Sequence, residues 1–183
     1  MNDRLGFAAR IERSLSLVVG LAAIVAASVS LYQASLARQQ SRAAAWPVLM
    51  GGSSLATGKP YSYVLANKGV GPARIRTVRV LVDGKDIATW TDALKRFTGL
   101  TAVGYEYSYV GPGSVMSPGS ADTLLLIPAG ANAFTFWREA NKRLTVSLCY
   151  CSVYDECWLT GEQSLEPKPV RRCPPIVGKT FMQ

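Results

Sequence analysis

Four cysteines carry most of the chemistry this sequence can offer: Cys149, Cys151, Cys157 and Cys173. Thiols grouped in this way either bind a soft metal or pair as disulfides. A structural zinc site needs four thiolates in a tetrahedron, and C-x2-C knuckles are the usual source. The spacing here is C-x-C-x5-C-x15-C, with no knuckle. An even number of cysteines, all in the last third of the chain, reads instead as two disulfides in an oxidising compartment. Cys149 and Cys151 stand two apart, so on a strand they point to the same face. Cys157 lies on the segment that returns after a tight turn. The spacing therefore predicts a Cys151–Cys157 bond closing a hairpin and a Cys149–Cys173 bond pinning the tail.

Other reactive constellations are missing from the sequence. It has no histidine, which removes imidazole both as a metal ligand and as a general base. It has no Gly-x-Ser-x-Gly, no Gly-x-x-x-x-Gly-Lys phosphate loop and no Gly-x-Gly-x-x-Gly. Ser114 and Ser117 sit in a loop without an activating base beside them in sequence. The carboxylate pairs Asp83/Asp86 and Asp155/Glu156 belong to turns, where aspartate bonds its own backbone, rather than to a glycosidase pair. No catalytic, cofactor-binding or metal-ligating residue is assigned, and the chain reads as a non-enzyme; a serine–lysine or lysine chemistry is the enzyme reading that composition leaves open.

Binding chemistry has three candidates. Tyr150, Tyr154 and Trp158 surround the cysteines, and two disulfides beside them would make a stiff aromatic knob for a partner. Tyr105, Tyr107 and Tyr109 alternate, either as one face of a strand or as a binding stripe in the loop 105–120. Asn67-x-Gly-x-Gly-Pro-Ala73 reads as a tight turn between strands, with the glycines at positive φ and Asn67 bonding its own backbone.

Elements that would position these residues begin with an apolar run. Residues 14–37 contain no charge. At about 1.5 Å per residue they reach roughly 36 Å as a helix, enough for a hydrocarbon core of about 30 Å. Helix-forming residues continue to about residue 45, and Pro47 is the first stop, so one helix is expected from about Arg10 to Ala45. Residues 1–13 form a cytoplasmic start. Arg4, Arg10 and Arg13 precede the span, while Arg38 and Arg42 follow it. That bias, with the cysteines, places the C-terminal part outside the cytoplasm. The rival reading is a signal peptide cleaved at Ala34-Ser35-Leu36-Ala37.

From Pro47 the periodicity changes from helical to alternating. Strands are expected at 48–50, 60–66, 73–82, 86–89, 123–127, 144–153 and 157–160. Gly51-Gly52 would end the first, a bulge near Thr77 would repair the parity of the third, and Asp83-Gly84 marks a hairpin. Short helices are expected at 92–97, capped by Thr89 or Thr91 and burying Leu94 and Phe97, and after Asn132, carrying Phe134 and Trp137. Residues 46–160 thus read as one β-sandwich domain with one or two short helices. Residues 161–183 read as a proline-rich tail, ordered near Cys173. The chain is +8 overall, and +7 from Arg38 onward. No run of five like charges and no basic helix with aromatics supports nucleic-acid binding.

Asn67 to Ala73, the valine-rich strand after it, Asp83-Gly84 and Trp90 resemble a class of bacterial single-pass membrane proteins, themselves uncharacterised. These carry an N-terminal transmembrane helix and a small extracytoplasmic Ig-like β-domain. The resemblance implies an inner-membrane protein with a periplasmic domain and transfers no catalytic residue. The expected role is interaction or assembly with another envelope protein, and the lipid bilayer is a second partner, through residues 14–37. An envelope enzyme or glycan-binding module using loop 105–120 is the alternative. Gly6-Phe7, Glu12 and the apolar helix are also similar to type IV pilins and pseudopilins, although Arg10 and Arg13 interrupt the segment that pilins keep apolar.

Overall fold

A computed structural model describes the backbone of residues 2–161, 166–175 and 181, with side chains from residue 18 onward. Gly6, Phe7, Glu12 and the arginines before the apolar run therefore lie outside the described side chains. The chain divides after Ala43 into two compact units.

The first unit is helix α1, Asn2–Ala44. It starts earlier than expected and stops two residues before Trp46-Pro47, where the proline disfavours helical geometry at the residue preceding it. Residues Val18–Ala44 are long and apolar enough to cross a membrane, and no side chain among them is buried by the fold. The serine hydroxyls in this stretch are satisfied within it. Ser28 Oγ donates to the Ile24 carbonyl at 2.9 Å, Ser30 Oγ to Ala26 at 2.8 Å and Ser35 Oγ to Tyr32 at 2.7 Å. Such back-bonding removes the cost of a polar side chain in hydrocarbon.

The second unit holds two antiparallel sheets and two helices. Strands β1 (Leu49–Ser54), β2 (Tyr61–Asn67) and β6 (Ala121–Ile127) form one sheet in the order β1-β2-β6. The other contains β3 (Ala73–Val82), β4 (Lys85–Ile87), β5 (Val115–Met116), β7 (Leu144–Cys151), β8 (Cys157–Thr160) and β9 (Lys168–Val170). Its order is β4-β3-β7-β8-β9, and β5 also pairs with β3. Helices α2 (Trp90–Thr98) and α3 (Ala131–Arg143) complete the unit. Asp83 and Gly84 both take positive φ in the β3–β4 hairpin, and the β3–β7 register slips between Ile75 and Thr77, at the expected bulge. Thr89 caps α2, its Oγ1 accepting from Asp92 N at 3.2 Å.

The core draws on both sheets and both helices. Tyr61, Leu65, Leu125 and Ile127 meet Phe136, which sets its ring edge-on to Tyr61 and to Phe97. Val78, Val80, Leu148 and Tyr150 supply the larger sheet's share.

Four expectations are corrected. β1 runs through Gly51-Gly52 instead of ending there, because Gly51 leaves the space that the Tyr63 hydroxyl occupies. The second helix begins at Ala131 with Gly130 as its cap, so Asn132 caps nothing. In that helix Phe136 is the core aromatic, while Phe134 is 53% exposed. The tail is held at more points than Cys173: β9 pairs with β8, and Phe181 packs edge-on to Trp90 at 5.0 Å. Proline is tolerated in β9 because it is an edge strand.

The fourth concerns Gly69 and Gly71, which do not take positive φ. They are glycine because other backbone passes against them. A Cβ on Gly69 would meet the Trp46 carbonyl and Val48 N, and one on Gly71 would meet the Ala45 backbone. Asn67 holds this approach together. It is 0% exposed, and its side chain fills all four hydrogen-bonding positions. Oδ1 accepts from Val48 N at 3.2 Å and from Gly69 N at 3.0 Å, and Nδ2 donates to the carbonyls of Gly71 at 2.8 Å and Met116 at 3.1 Å.

Candidate functional site

Strand β7 positions the cysteines. Its alternate residues Val146, Leu148 and Tyr150 enter the core, while Cys149 and Cys151 share the opposite face. Residues 152–156 turn the chain: Ser152 N donates to the Glu156 carbonyl at 2.8 Å, and Asp155 takes φ 58°. Cys151 and Cys157 are thereby register partners, and they form one disulfide with a Cα–Cα distance of 4.0 Å. The second joins Cys149 to Cys173, with Cα atoms 5.6 Å apart. Both bonds are the pairs expected from strand parity. They lie against each other, Cys151 Sγ being 3.9 Å from Cys173 Sγ. Cys149 is fully buried, Cys151 and Cys157 are nearly so, and Cys173 is partly buried.

The register brings arginines to this cluster. Arg74 stands opposite Cys151, and Thr77 opposite Cys149, with Arg76 in the bulge between. Asp155 Oδ1 meets Arg74 Nη1 at 3.2 Å and Arg76 Nη2 at 3.4 Å. Arg171 and Arg172 follow β9 and are exposed. Arg76, Arg171 and Arg172, with Asp155 as the one carboxylate, line a groove of about 510 Å³ that also touches Cys151, Cys157 and Cys173. Its charge is net positive, so it attracts anions. Sequence inspection missed these arginines because nothing ties Arg74 and Arg76 to the cysteines until the β3–β7 register is known.

The aromatic candidates separate. Tyr150 is fully buried, its hydroxyl accepts from Leu49 N at 3.2 Å, and burial raises its pKa. It is a core residue and offers a partner no surface. Trp158 is half-buried and stacks on Tyr150 at 5.9 Å. Tyr154 alone of the three stands out, at the tip of the turn. Tyr105, Tyr107 and Tyr109 lie on an extended segment that bonds to β6 through Glu106 and Leu126. Tyr105 packs against the core and bonds Thr91 Oγ1 at 2.9 Å, whereas Tyr107 and Tyr109 are exposed. In the same loop Ser114 Oγ accepts from Gly111 N at 3.2 Å, a turn contact.

Three of the carboxylates read as turn residues, Asp83, Asp86 and Asp155, face a guanidinium. Asp86 pairs with Arg79 through two bonds, of 3.0 and 3.1 Å. Asp83 pairs with Arg143 at 2.8 and 2.6 Å. The hydrogen bonds from Arg143, with its charge, hold the Asp83 carboxyl below the usual carboxylate range.

A second concavity, of about 460 Å³, lies between the loop 55–59 and α3, lined by Leu55, Lys59, Phe134 and Trp137. It is mostly apolar, with Thr57 and Lys59 as its polar side chains. No protein-family model matches the chain, and no curated protein or solved structure is similar to it.

Proposed function

We propose that this chain is a non-enzymatic display protein of the bacterial envelope. Residues 14–37 anchor it once in the inner membrane, and an Ig-like sandwich built on the two antiparallel sheets stands in the periplasm. The disulfide-stapled end of that domain, with Tyr154 at its tip, is the surface offered to another envelope protein. One observation carries the reading: all four cysteines pair as two disulfides on one face of β7. Such bonds persist in oxidising compartments and are rare in the cytosol. The apolar length of Val18–Ala44 supports the anchor.

Intact mass of membrane-extracted protein, alkylated before and after reduction, tests this. A full-length mass with no alkylated thiol before reduction is expected. Four thiols alkylated without reduction would overturn the extracytoplasmic placement. A mass lacking the first 37 residues would overturn the anchor, and one lacking the first six would restore the pilin reading.

Tyr107 and Tyr109 support a second reading, in which neighbouring exposed rings on one edge form a stacking surface for a glycan. Saturation of their ring signals by a cell-wall saccharide would favour it over a protein partner.

A further inference from the structure

We infer that the arginine-lined groove is an exchange site for an anionic thiol, which opens the Cys149–Cys173 bond by attack on Cys173 Sγ. Three features of the groove converge on that sulfur. Burial differs among the four: Cys149 is 0% exposed, Cys151 3% and Cys157 8%, while Cys173 is the one cysteine outside the buried class, so a nucleophile entering from solvent reaches Cys173 most readily. Charge is concentrated there: Arg172 is adjacent in sequence, Arg171 precedes it, and Arg76 lines the same concavity. Thiolate is the attacking species in exchange, and neighbouring guanidiniums favour it. Thirdly, the two bonds are adjacent, with 3.9 Å between Cys151 Sγ and Cys173 Sγ, and Cys151 and Cys157 reach the groove but are buried residues. The hairpin staple is therefore disfavoured as a target by the burial of both its cysteines.

The step balances without an outside oxidant. The incoming thiolate forms a bond to Cys173 Sγ, the Cys149–Cys173 bond breaks, and Cys149 leaves as a thiolate that takes the proton given up by the incoming thiol. The product is a mixed disulfide on Cys173 and a free Cys149. A second thiol equivalent resolves the mixed disulfide, leaving Cys173 reduced and the thiol as its own disulfide. The tail, which carries β9 and Phe181, then loses its covalent tie to β7, while the Cys151–Cys157 hairpin stays closed.

The test uses the full chain in detergent and two small thiols, 2-mercaptoethanesulfonate (anionic) and cysteamine (cationic), at matched thiolate concentration. At low salt the anionic thiol should open the bond about tenfold faster, and the ratio should fall at high salt. Peptide mapping should find the sulfonate adduct on Cys173 and the free thiol on Cys149. Arg171→Glu combined with Arg172→Glu changes two exposed side chains, so the fold is retained and the preference should disappear or reverse. Equal rates for the two thiols, an adduct on Cys151 or Cys157, or opening only together with global loss of the near-ultraviolet circular dichroism would each overturn the inference.

Discussion

Asn67 Nδ2 donates to the Met116 carbonyl across 49 residues of chain, at 3.1 Å and out of contact with water. The same side chain holds the approach to β1 through Val48 and the β2–β3 turn through Gly69 and Gly71. Asn67→Ala would leave two donors and two acceptors without their partner. A buried polar group stripped of its bond costs about 1–3 kcal/mol. Partial relaxation should hold the loss to about 3 kcal/mol, measured by urea denaturation of the oxidised domain. A loss under about 1 kcal/mol would mean that water replaces the carboxamide.

Gly69 and Gly71 lie against backbone, whereas a Cβ on Gly52 would enter open space. Gly71→Ala and Gly69→Ala should each destabilise by about 1–3 kcal/mol or more, since backbone yields less readily than a side chain. Gly52→Ala should be neutral or slightly stabilising. Comparable melting temperatures for all three variants would refute the close-approach explanation.

The two staples close loops of different length, 24 residues for Cys149–Cys173 and 6 for Cys151–Cys157. Loop-closure entropy assigns about 3.5 kcal/mol to the first and about 2.2 kcal/mol to the second. Paired serine substitutions should follow that order in thermal unfolding. The reverse order would show that the hairpin staple acts through native contacts instead of the unfolded chain.

Asp83 gives a pH signature. Its folded pKa is depressed by Arg143, so its contribution is present above the unfolded value of about 4 and is lost as pH falls through the folded value. Asp83→Asn keeps a residue type that tolerates the positive φ at this position. The variant should be less stable than the parent at neutral pH, and the difference should narrow below about pH 4. Parallel stability curves down to strong acid would show that the ion pair is inert.

Much of this fold was legible because local chemistry and tertiary outcome agree. Asp83-Gly84 turned where a two-residue hairpin needs positive φ, the slip of parity near Thr77 became a bulge, and two-residue spacing put Cys149 and Cys151 on one face. The misreadings share one cause, which is that they depend on residues distant in sequence. Gly69 and Gly71 looked like φ glycines because sequence does not show which backbone passes beside them. Tyr150 looked available to a partner because its bond to Leu49 reaches across 101 residues. The arginine groove needs both the β3–β7 register and the course of the tail.

Phe181 packs on Trp90, 91 positions earlier in the chain. A ribosome or translocon delivers the chain in order, so this aromatic pair cannot form until nearly all of the domain has emerged. Until then the Trp90 ring lacks its cover, and the nascent domain exposes an apolar surface of the kind that chaperones bind. The order of synthesis therefore sets a waiting time during which the domain needs protection.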